Sequence, residues 1–345
     1  KRAIELGHNA IFTTNHGMQG DIFEATTLAK QYGLKLIVGA ECYYVKDRHE
    51  KDRSNNHIII IALNDSGVRQ LNKILSIANE DGYYYKPRID YELLMGLNPK
   101  DVVITTACVA GILPQKDLVL ELNDKFKGHF FLEVQDHDAD VQRNFNKMAL
   151  EYRELYNIPL IHANDSHYIY PEDKEYRDLF LKGKEMVYSD EGEFILDYPD
   201  AQTIVNRYIK QGVLNKEEII EALENTLIFD EAEELTIIND DIKLPSISKN
   251  PNYDLKKAIF EAWQIEKENV PAERIPEYEE AIRYEVDIIE KCHMEDYFLL
   301  DYEIVKLGKS KYNGMMTKTG RGSAPSFYVN KLLGLTDIDR LDSPI

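Results

Sequence analysis

The sequence predicts an α/β fold whose first half is organised as a (β/α) barrel, followed by a helical linker and two further helices. Three observations predict it. Short β-branched runs such as "NHIIIIALN" alternate with amphipathic stretches such as "SGVRQLNKILSIANED", which calls for parallel strands joined by crossover helices. The alternation repeats often enough that closure into a barrel is the most economical arrangement. Residues of metal-ligand type gather at the predicted strand ends, where barrel chemistry sits.

The elements follow in order. "AIELG" then "NAIFTT" reads as helix, turn and strand. "GDIFEATTLAKQYG" has apolar residues at helical spacing and stops at Gly33, a C-cap. "LKLIVGAECYYV" is a strand with a glycine break, and "NHIIIIALN" is long enough for a buried strand. "SGVRQLNKILSIANED" is a helix, "DVVITTACVAGIL" a strand then a turn, and "HFFLEVQDHD" a strand. "ADVQRNFNKMALEYRELYN" is a helix, and "IPLIHANDSHYI" is a strand then a loop. Residues 171–245 are helical, acidic and rich in tyrosine, with "KEEIIEALENTLIFDEAEEL" the clearest helix. "IKLPSISKNPNYD" collects Pro, Ser and Asn and reads as a linker. Two helices follow, "YDLKKAIFEAWQIEKEN" and a long one beginning "PEYEEAIRYEVDIIEK" that breaks near His293.

Composition narrows the class. At 345 residues the chain has room for two domains. No apolar run approaches the ~20 residues that span a bilayer. Three widely spaced cysteines, Cys42, Cys108 and Cys292, argue against a disulfide framework and fit a reducing cytoplasm. A formal charge of −20 repels phosphate backbones, so broad binding of nucleic acid through this chain is not expected, and any such contact needs a local basic patch. Both ends read as cut from something longer.

The predicted strand ends carry a first constellation. "AIFTT" leads to Asn15 and His16, "LKLIVGAE" ends at Glu41, "VVITTAC" ends at Cys108, and "PLIHANDSH" ends at Asp165 and His167. His57 opens its apolar run, at the other end of the strand or on its edge. Each residue alone has a plain structural alternative: a turn-capping His16, a lysine-paired Glu41, a hydrogen-bonded His57, a buried and inert Cys108. As a set, imidazole, carboxylate and thiolate are the donors of a transition-metal site, and several at one rim would make a multinuclear centre. Asp-x-His at 165 and 167 places two donors on one side of an extended segment.

The stretch "FTTNHGMQGDIFEATTLAKQYGLKLIVGAECYYV" resembles the second segment of the polymerase and histidinol phosphatase (PHP) family, in the form found at the N-terminus of bacterial replicative DNA polymerases. "HIIIIALNDSGVRQLNKILS", "VVITTACVAGIL", "FFLEVQDHDADVQRNFN" and "IPLIHANDSHYIYPED" resemble its later segments in order. The resemblance covers residues 1–245 and implies a distorted (β/α)7 barrel. It places His16, Glu41, His57, Cys108, Asp165 and His167 on family metal-ligand positions and implies Zn, Mn or Fe there. Two departures stand out. The family's upstream His-x-His segment and nearby Asp are not in this sequence. The family's Asp before the turn histidine is Asn15, which accepts a hydrogen bond but lends no charge, and such a change beside a ligand costs about 10- to 100-fold in metal affinity.

"TKTGRGSAPSFYVNKLLGLTDID" forms a second constellation. Gly320, Arg321, Gly322 and Ser323 precede a predicted helix "APSFYVNKLLG", with Ser323 placed as N-cap and Pro325 just inside. Small residues at a helix N-terminus suit an anion, and equally suit a plain capped helix. Lys306, Lys309, Lys311, Lys318, Arg321 and Lys331 reverse the acidic trend locally, which favours a phosphate or nucleic-acid partner. The segment resembles the start of the polymerase-β-like palm in the alpha subunits of bacterial DNA polymerase III. There the Gly-Ser pair contacts the incoming nucleotide's triphosphate, which implies that role for Gly322 and Ser323 with Arg321 nearby. Asp337 and Asp339 are expected in a turn rather than as metal ligands, because the family's catalytic aspartates lie further downstream, where Mg²⁺ is held.

Together these resemblances divide the chain into a PHP domain (1–245), a linker with helix (246–280) and the start of a palm (281–345). They imply a DNA polymerase III alpha-type nucleotidyltransferase whose full-length form takes primer-template DNA and dNTPs, with a sliding clamp and a proofreading exonuclease subunit as further partners. This chain alone is expected to lack polymerase activity. For the barrel they imply either a metal-dependent 3′–5′ exonuclease or phosphoesterase, or a non-catalytic scaffold that docks a separate proofreading nuclease.

Overall fold

In the computed structural model, which describes residues 1–186, 194–236, 243–316 and 322–342, the strands all lie within the first 162 residues. The chain divides into two units, Lys1–Asn239 and Asp240–Ile345.

The first unit carries β1 (Ala10–Thr13), β2 (Lys35–Tyr44), β3 (Asn56–Ala62), β4 (Arg88–Ile89), β5 (Val102–Thr105), β6 (Phe130–Val134) and β7 (Leu160–His162). They form one curled seven-stranded sheet in the order β1-β2-β3-β5-β6-β7, with β4 added beside β2. The fold class is α/β, as expected, but the strands are not all parallel. β3 is antiparallel to both β2 and β5, whereas the other pairings are parallel. The cause is the connection: residues 45–55 contain no crossover helix, so the chain re-enters beside β2 in the opposite sense. β2 also runs on through Glu41 to Tyr44, so Glu41 lies within the strand rather than at its end.

The helices of this unit are α1 (Arg2–Glu5), α2 (Ile22–Tyr32), α3 (Asp65–Glu80), α4 (Tyr91–Met95), α5 (Lys116–Lys125), α6 (Asp140–Tyr156), α7 (Lys174–Gly183), α8 (Ala201–Gln211) and α9 (Lys216–Glu224). Local chemistry sets their ends. Gly33 closes α2 at φ +65°, a conformation that costs glycine nothing. The Asn64 side chain accepts from Gly67 N to start α3, and a Cβ on Gly67 would stand 2.2 Å from the Asp101 carbonyl. The run expected as one helix after Lys216 tightens into a 3-10 turn from Asn225.

The period-two alternation sorts the strand residues onto two faces. Ala40, Cys42, Ile58, Ile60, Ile104, Leu132 and Leu160 pack in the larger core with Leu71, Val119 and Phe145 from the helices. Ile37, Ile61, Val103, Phe131 and Ile161 form a second core. Glu41, His57, Thr105 and Glu133 share the parity of this second set. They carry its face toward the rim where β1, β2, β5, β6 and β7 end and the reversed β3 begins.

In the second unit, α10 (Pro251–Glu266), α11 (Ile275–Lys291), α12 (Glu295–Tyr312) and α13 (Tyr328–Leu332) enclose Leu255, Ile259, Ile289, Val329 and Leu333. Trp263 stacks on Tyr278 at 6.0 Å, and Tyr328 meets Tyr278 edge-on. Within residues 246–280, α10 supplies Leu255, Ile259 and Trp263 to these clusters. The long helical run breaks where expected, with His293 at φ +53°. No helix among the described residues is long and apolar enough to cross a membrane.

Candidate metal centre

The Thr14–Gly17 turn is zipped onto β2 by two backbone hydrogen bonds. Glu41 N donates to Asn15 O at 3.0 Å and Gly17 N to Glu41 O at 2.8 Å, extending the β1–β2 ladder by an isolated bridge between His16 and Glu41. Gly17 has φ +63°, and a Cβ there would stand 2.6 Å from Pro87 Cγ. The turn delivers His16 Nδ1 to Glu41 Oε1 at 2.7 Å. From the other side, His57 Nδ1 stands 2.9 Å from the same oxygen. The register explains this: His57 stands opposite Tyr43, so Glu41 is its diagonal neighbour on the same face.

Cys108 Sγ lies 3.4 Å from His57 Nδ1. It sits in a tight loop after β5, with Ala107 at φ +60° and Gly111 N donating to Cys108 O at 2.7 Å. His57 N donates to Ala110 O, and Ile112 N to His57 O, which fixes the loop to the start of β3. Glu41, His57 and Cys108 thus offer an oxygen, a nitrogen and a sulfur all within 4.8 Å of one another. His16 closes on Glu41, and its ring stands edge-on to His167 at 6.2 Å. His167 Nδ1 is 3.8 Å from Asp165 Oδ1. The Asp165–His167 segment is not the extended one expected, because Asp165 takes a left-handed φ of +52°. It is held from behind by Ser166 Oγ donating to Asp197 O and His167 N donating to Leu196 O.

The electrostatics follow from burial and partners. Burial by itself pushes the Glu41 carboxyl up, but hydrogen bonds from His16 and His57 outweigh it and hold the group down at about 2. The hydrogen bond to Glu41 raises His16 above the ordinary histidine value. Burial, then the negative charges of Glu41 and Asp165, push the Cys108 thiol well up. The donor set fits a divalent transition metal. It combines the three donor types such ions take, and its N–O spacings of 2.7 and 2.9 Å need to open by well under an ångström to reach the roughly 3.4 Å between ligands on one tetrahedral zinc-sized ion.

Residues that sequence patterns did not single out complete the surroundings. Glu133 is 4% exposed on β6. Thr105 Oγ1 donates to its Oε2 at 2.5 Å and Gln135 Nε2 to its Oε1 at 2.9 Å. Burial raises its carboxyl to about 7. The signal was present in "HFFLEV", an acid inside an apolar strand. Tyr43 stacks on His16 and meets His57 edge-on at 5.4 Å, and Lys86 Nζ stands 4.1 Å over the Tyr43 ring.

In the second unit the expected helix from Ala324 is interrupted. A 3-10 turn, Ala324–Ser326, is followed by extended Phe327, and α13 starts only at Tyr328. Ser323 provides no side-chain cap. The cap comes from α11, where Glu285 accepts from Tyr328 N at 2.9 Å and Val329 N at 2.8 Å and also binds Arg340 Nε at 2.6 Å. Gly322 has φ +66°, and Gly322 and Ser323 are exposed. Arg321 and Lys318 lie outside the described residues. Lys331 pairs with Glu266 and Asp339, and Lys306 with Glu303, so the basic cluster is partly neutralised. Asp339 Oδ1 accepts from Leu341 N at 3.0 Å, a turn role.

Residues 1–137 match the family model described as the PHP domain, and residues 255–345 match that of the bacterial DNA polymerase III alpha NTPase domain. The chain is 29% identical to DNA polymerase III subunit alpha of Aquifex aeolicus, over 98% of this chain and 32% of the relative. It is 28% identical to the subunit of Borreliella burgdorferi (99% and 31%) and 26% identical to that of Treponema pallidum (99% and 30%). The chain therefore spans about a third of the length of these relatives. Its first part is similar to the PHP domain and its last part to the DNA polymerase III alpha-type segment.

Proposed function

We propose that the first unit is a metal-dependent phosphodiesterase acting on the 3′ end of a DNA strand, within a full-length gene product that carries out template-directed DNA synthesis. The observation that carries the first half is Glu41, a buried carboxylate held ionised between two imidazoles with a thiol 3.4 Å beyond. Three polar donor types do not converge at one rim for packing alone, since an ionised carboxylate removed from water needs a strong partner. His16, Glu41, His57, Cys108, Asp165 and His167 would hold the metal, with Zn, Mn or Fe suited to these donors. When bound, the metal supplies Lewis-acid polarisation of a phosphoryl oxygen and a water acidified toward neutral pH. The residues themselves orient the donors. Glu41 fixes both imidazoles through Nδ1, the Ala107–Gly111 loop aims Cys108, and Ser166 anchors the Asp165–His167 segment.

The second half rests on the last third of the chain. Gly322 and Ser323 are exposed ahead of α13, and the Ser323 hydroxyl is not spent on a cap, which leaves it for a nucleotide triphosphate alongside Arg321.

The test uses the full-length gene product and a 3′-labelled primer. Metal-dependent release of 3′ nucleotides, lost in His57→Ala and Glu41→Gln while templated extension persists, is expected. Release that survives both substitutions would overturn the phosphodiesterase proposal. Stable metal-free protein would instead favour the barrel as a brace or dock for a separate nuclease. For the second half, Ser323→Ala is expected to raise the Michaelis constant for dNTP, and an unchanged constant would count against it.

A further inference from the structure

We propose that Tyr83 and Tyr85, with Arg53 and Lys86, form a stacking subsite that holds unpaired bases of a DNA strand beside the metal centre. The proposal takes the location of the scissile bond from the phosphodiesterase reading, but the binding it describes stands apart from catalysis.

The turn Tyr83–Pro87 borders the centre directly. Lys86 lies over Tyr43, whose ring contacts both His16 and His57, and Pro87 abuts Gly17. Tyr83 and Tyr85, two positions apart in one turn, are each 60% exposed. Tyr85 also sits at φ +61°, a left-handed backbone that bulky residues rarely adopt. The Arg53 guanidinium stands 3.6 Å over its ring, and Tyr84 meets it edge-on at 4.9 Å.

This surface is held rigid from below. Arg88 is buried and gives its guanidinium to four backbone carbonyls, those of Gly82, Arg48, Glu50 and Asp52. It ties the tyrosine turn to the loop that bears Arg53. A buried arginine spent wholly on backbone acceptors fixes loop shape rather than charge. Exposed aromatic rings on a fixed frame are ready to stack with little loss of freedom.

The chemistry selects the ligand. Base-on-aromatic stacking tolerates any sequence because every base has a π-face, and it needs bases that are not paired. Arg48 contributes little positive charge, since Asp81, Asp90 and Glu92 all pair with it. Arg53 and Lys86 remain as the cations at the platform. In a chain of formal charge −20 they are the local attraction a phosphate backbone requires. A duplex end offers the rings only its terminal pair, whereas a frayed strand offers successive bases. The subsite therefore discriminates by pairing state, passing an unpaired 3′ end toward the metal donors.

The experiment measures fluorescence anisotropy of a labelled short oligodeoxythymidylate with this chain in EDTA, against a blunt duplex of equal length. Hydrolysis of bis(p-nitrophenyl) phosphate with Mn²⁺ is followed in parallel. Tyr85→Ala and Tyr83→Ala are expected to weaken single-strand binding by roughly 10-fold or more and to leave hydrolysis of the small diester unchanged. Tyr85→Phe keeps the ring and is expected to bind as the parent does, which separates stacking from a folding defect. Single-strand affinity that is the same in parent and alanine variants, including no measurable binding, overturns the proposal. So does a duplex bound as tightly as the single strand. Tyrosine-dependent single-strand binding, together with a full-length gene product that hydrolyses no diester, supports the subsite and sinks the phosphodiesterase reading alone.

Discussion

Glu41 on β2 and His57 on β3 meet at 2.9 Å because β3 runs against its neighbours. Had β3 followed the others, the start of its seven residues would lie at the opposite rim, roughly 20 Å away at ~3.3 Å per residue. One reversed strand therefore decides whether the donors converge.

Removing either partner is expected to empty the centre. Glu41→Gln deletes the charge between the imidazoles, and His57→Ala deletes the contact to both Glu41 and Cys108. Each should lower metal content at least about 10-fold, read by plasma mass spectrometry on metal-loaded protein. Full occupancy in both variants would mean that the metal binds elsewhere.

Metal affinity should rise with pH. The Cys108 thiol is pushed up by burial and by nearby carboxylates, yet it must lose its proton to become a ligand. A competition titration with a chromophoric chelator should show roughly tenfold tighter binding per pH unit. Cys108→Ala should flatten that slope. A slope that the substitution does not change would remove Cys108 from the ligand set.

Glu133 gives a stability profile of opposite sign to the usual carboxylate. Its folded value, about 7, lies above its ordinary 4.5, so the native state binds more protons between those values. Stability should fall as pH rises through that window and level off above it. Glu133→Gln abolishes the titration and should gain up to about 3 kcal/mol relative to the parent on moving from about pH 5 to about pH 8. Urea unfolding in chelator reads this directly, and parallel pH profiles for both proteins would contradict it.

Gly111 has no room for a methyl group, since a Cβ would stand 2.0 Å from Thr106 O and 2.7 Å from Cys108 O. Gly111→Ala should cost roughly 1–3 kcal/mol. It should also weaken metal binding, because the backbone that must move carries Cys108. A thermal melt with unchanged midpoint and unchanged metal content would refute the tight-loop account.

Glu285 is 1% exposed and caps α13 while pairing with Arg340. Glu285→Ala leaves two amides and a guanidinium without their acceptor and should destabilise the second unit by about 2–4 kcal/mol. Trp263, the one tryptophan in the sequence, is buried in that unit and reports its unfolding by emission. An unshifted Trp263 transition would show that Glu285 does not hold the unit together.

Most of the strands, and the faces they present, are legible in the residue pattern. Alternation in "KLIVGAECYY" and "NHIIIIA" places Ala40, Cys42, Ile58 and Ile60 on one side and Glu41 and His57 on the other, whichever way the strands run. It also marked Gly33, the break near His293, and the donor residues as chemical types. Strand direction and distant partners come from three-dimensional packing alone. A period-two pattern is identical for parallel and antiparallel strands, so the reversal of β3, and with it the place of His57, was not legible. Nothing local to Ser323–Leu332 reveals that its cap is Glu285, since that carboxylate arrives from a helix some forty residues earlier by packing alone. The same holds for Glu133, whose acid strength is set by how completely β5, β6 and the surrounding core exclude water from it.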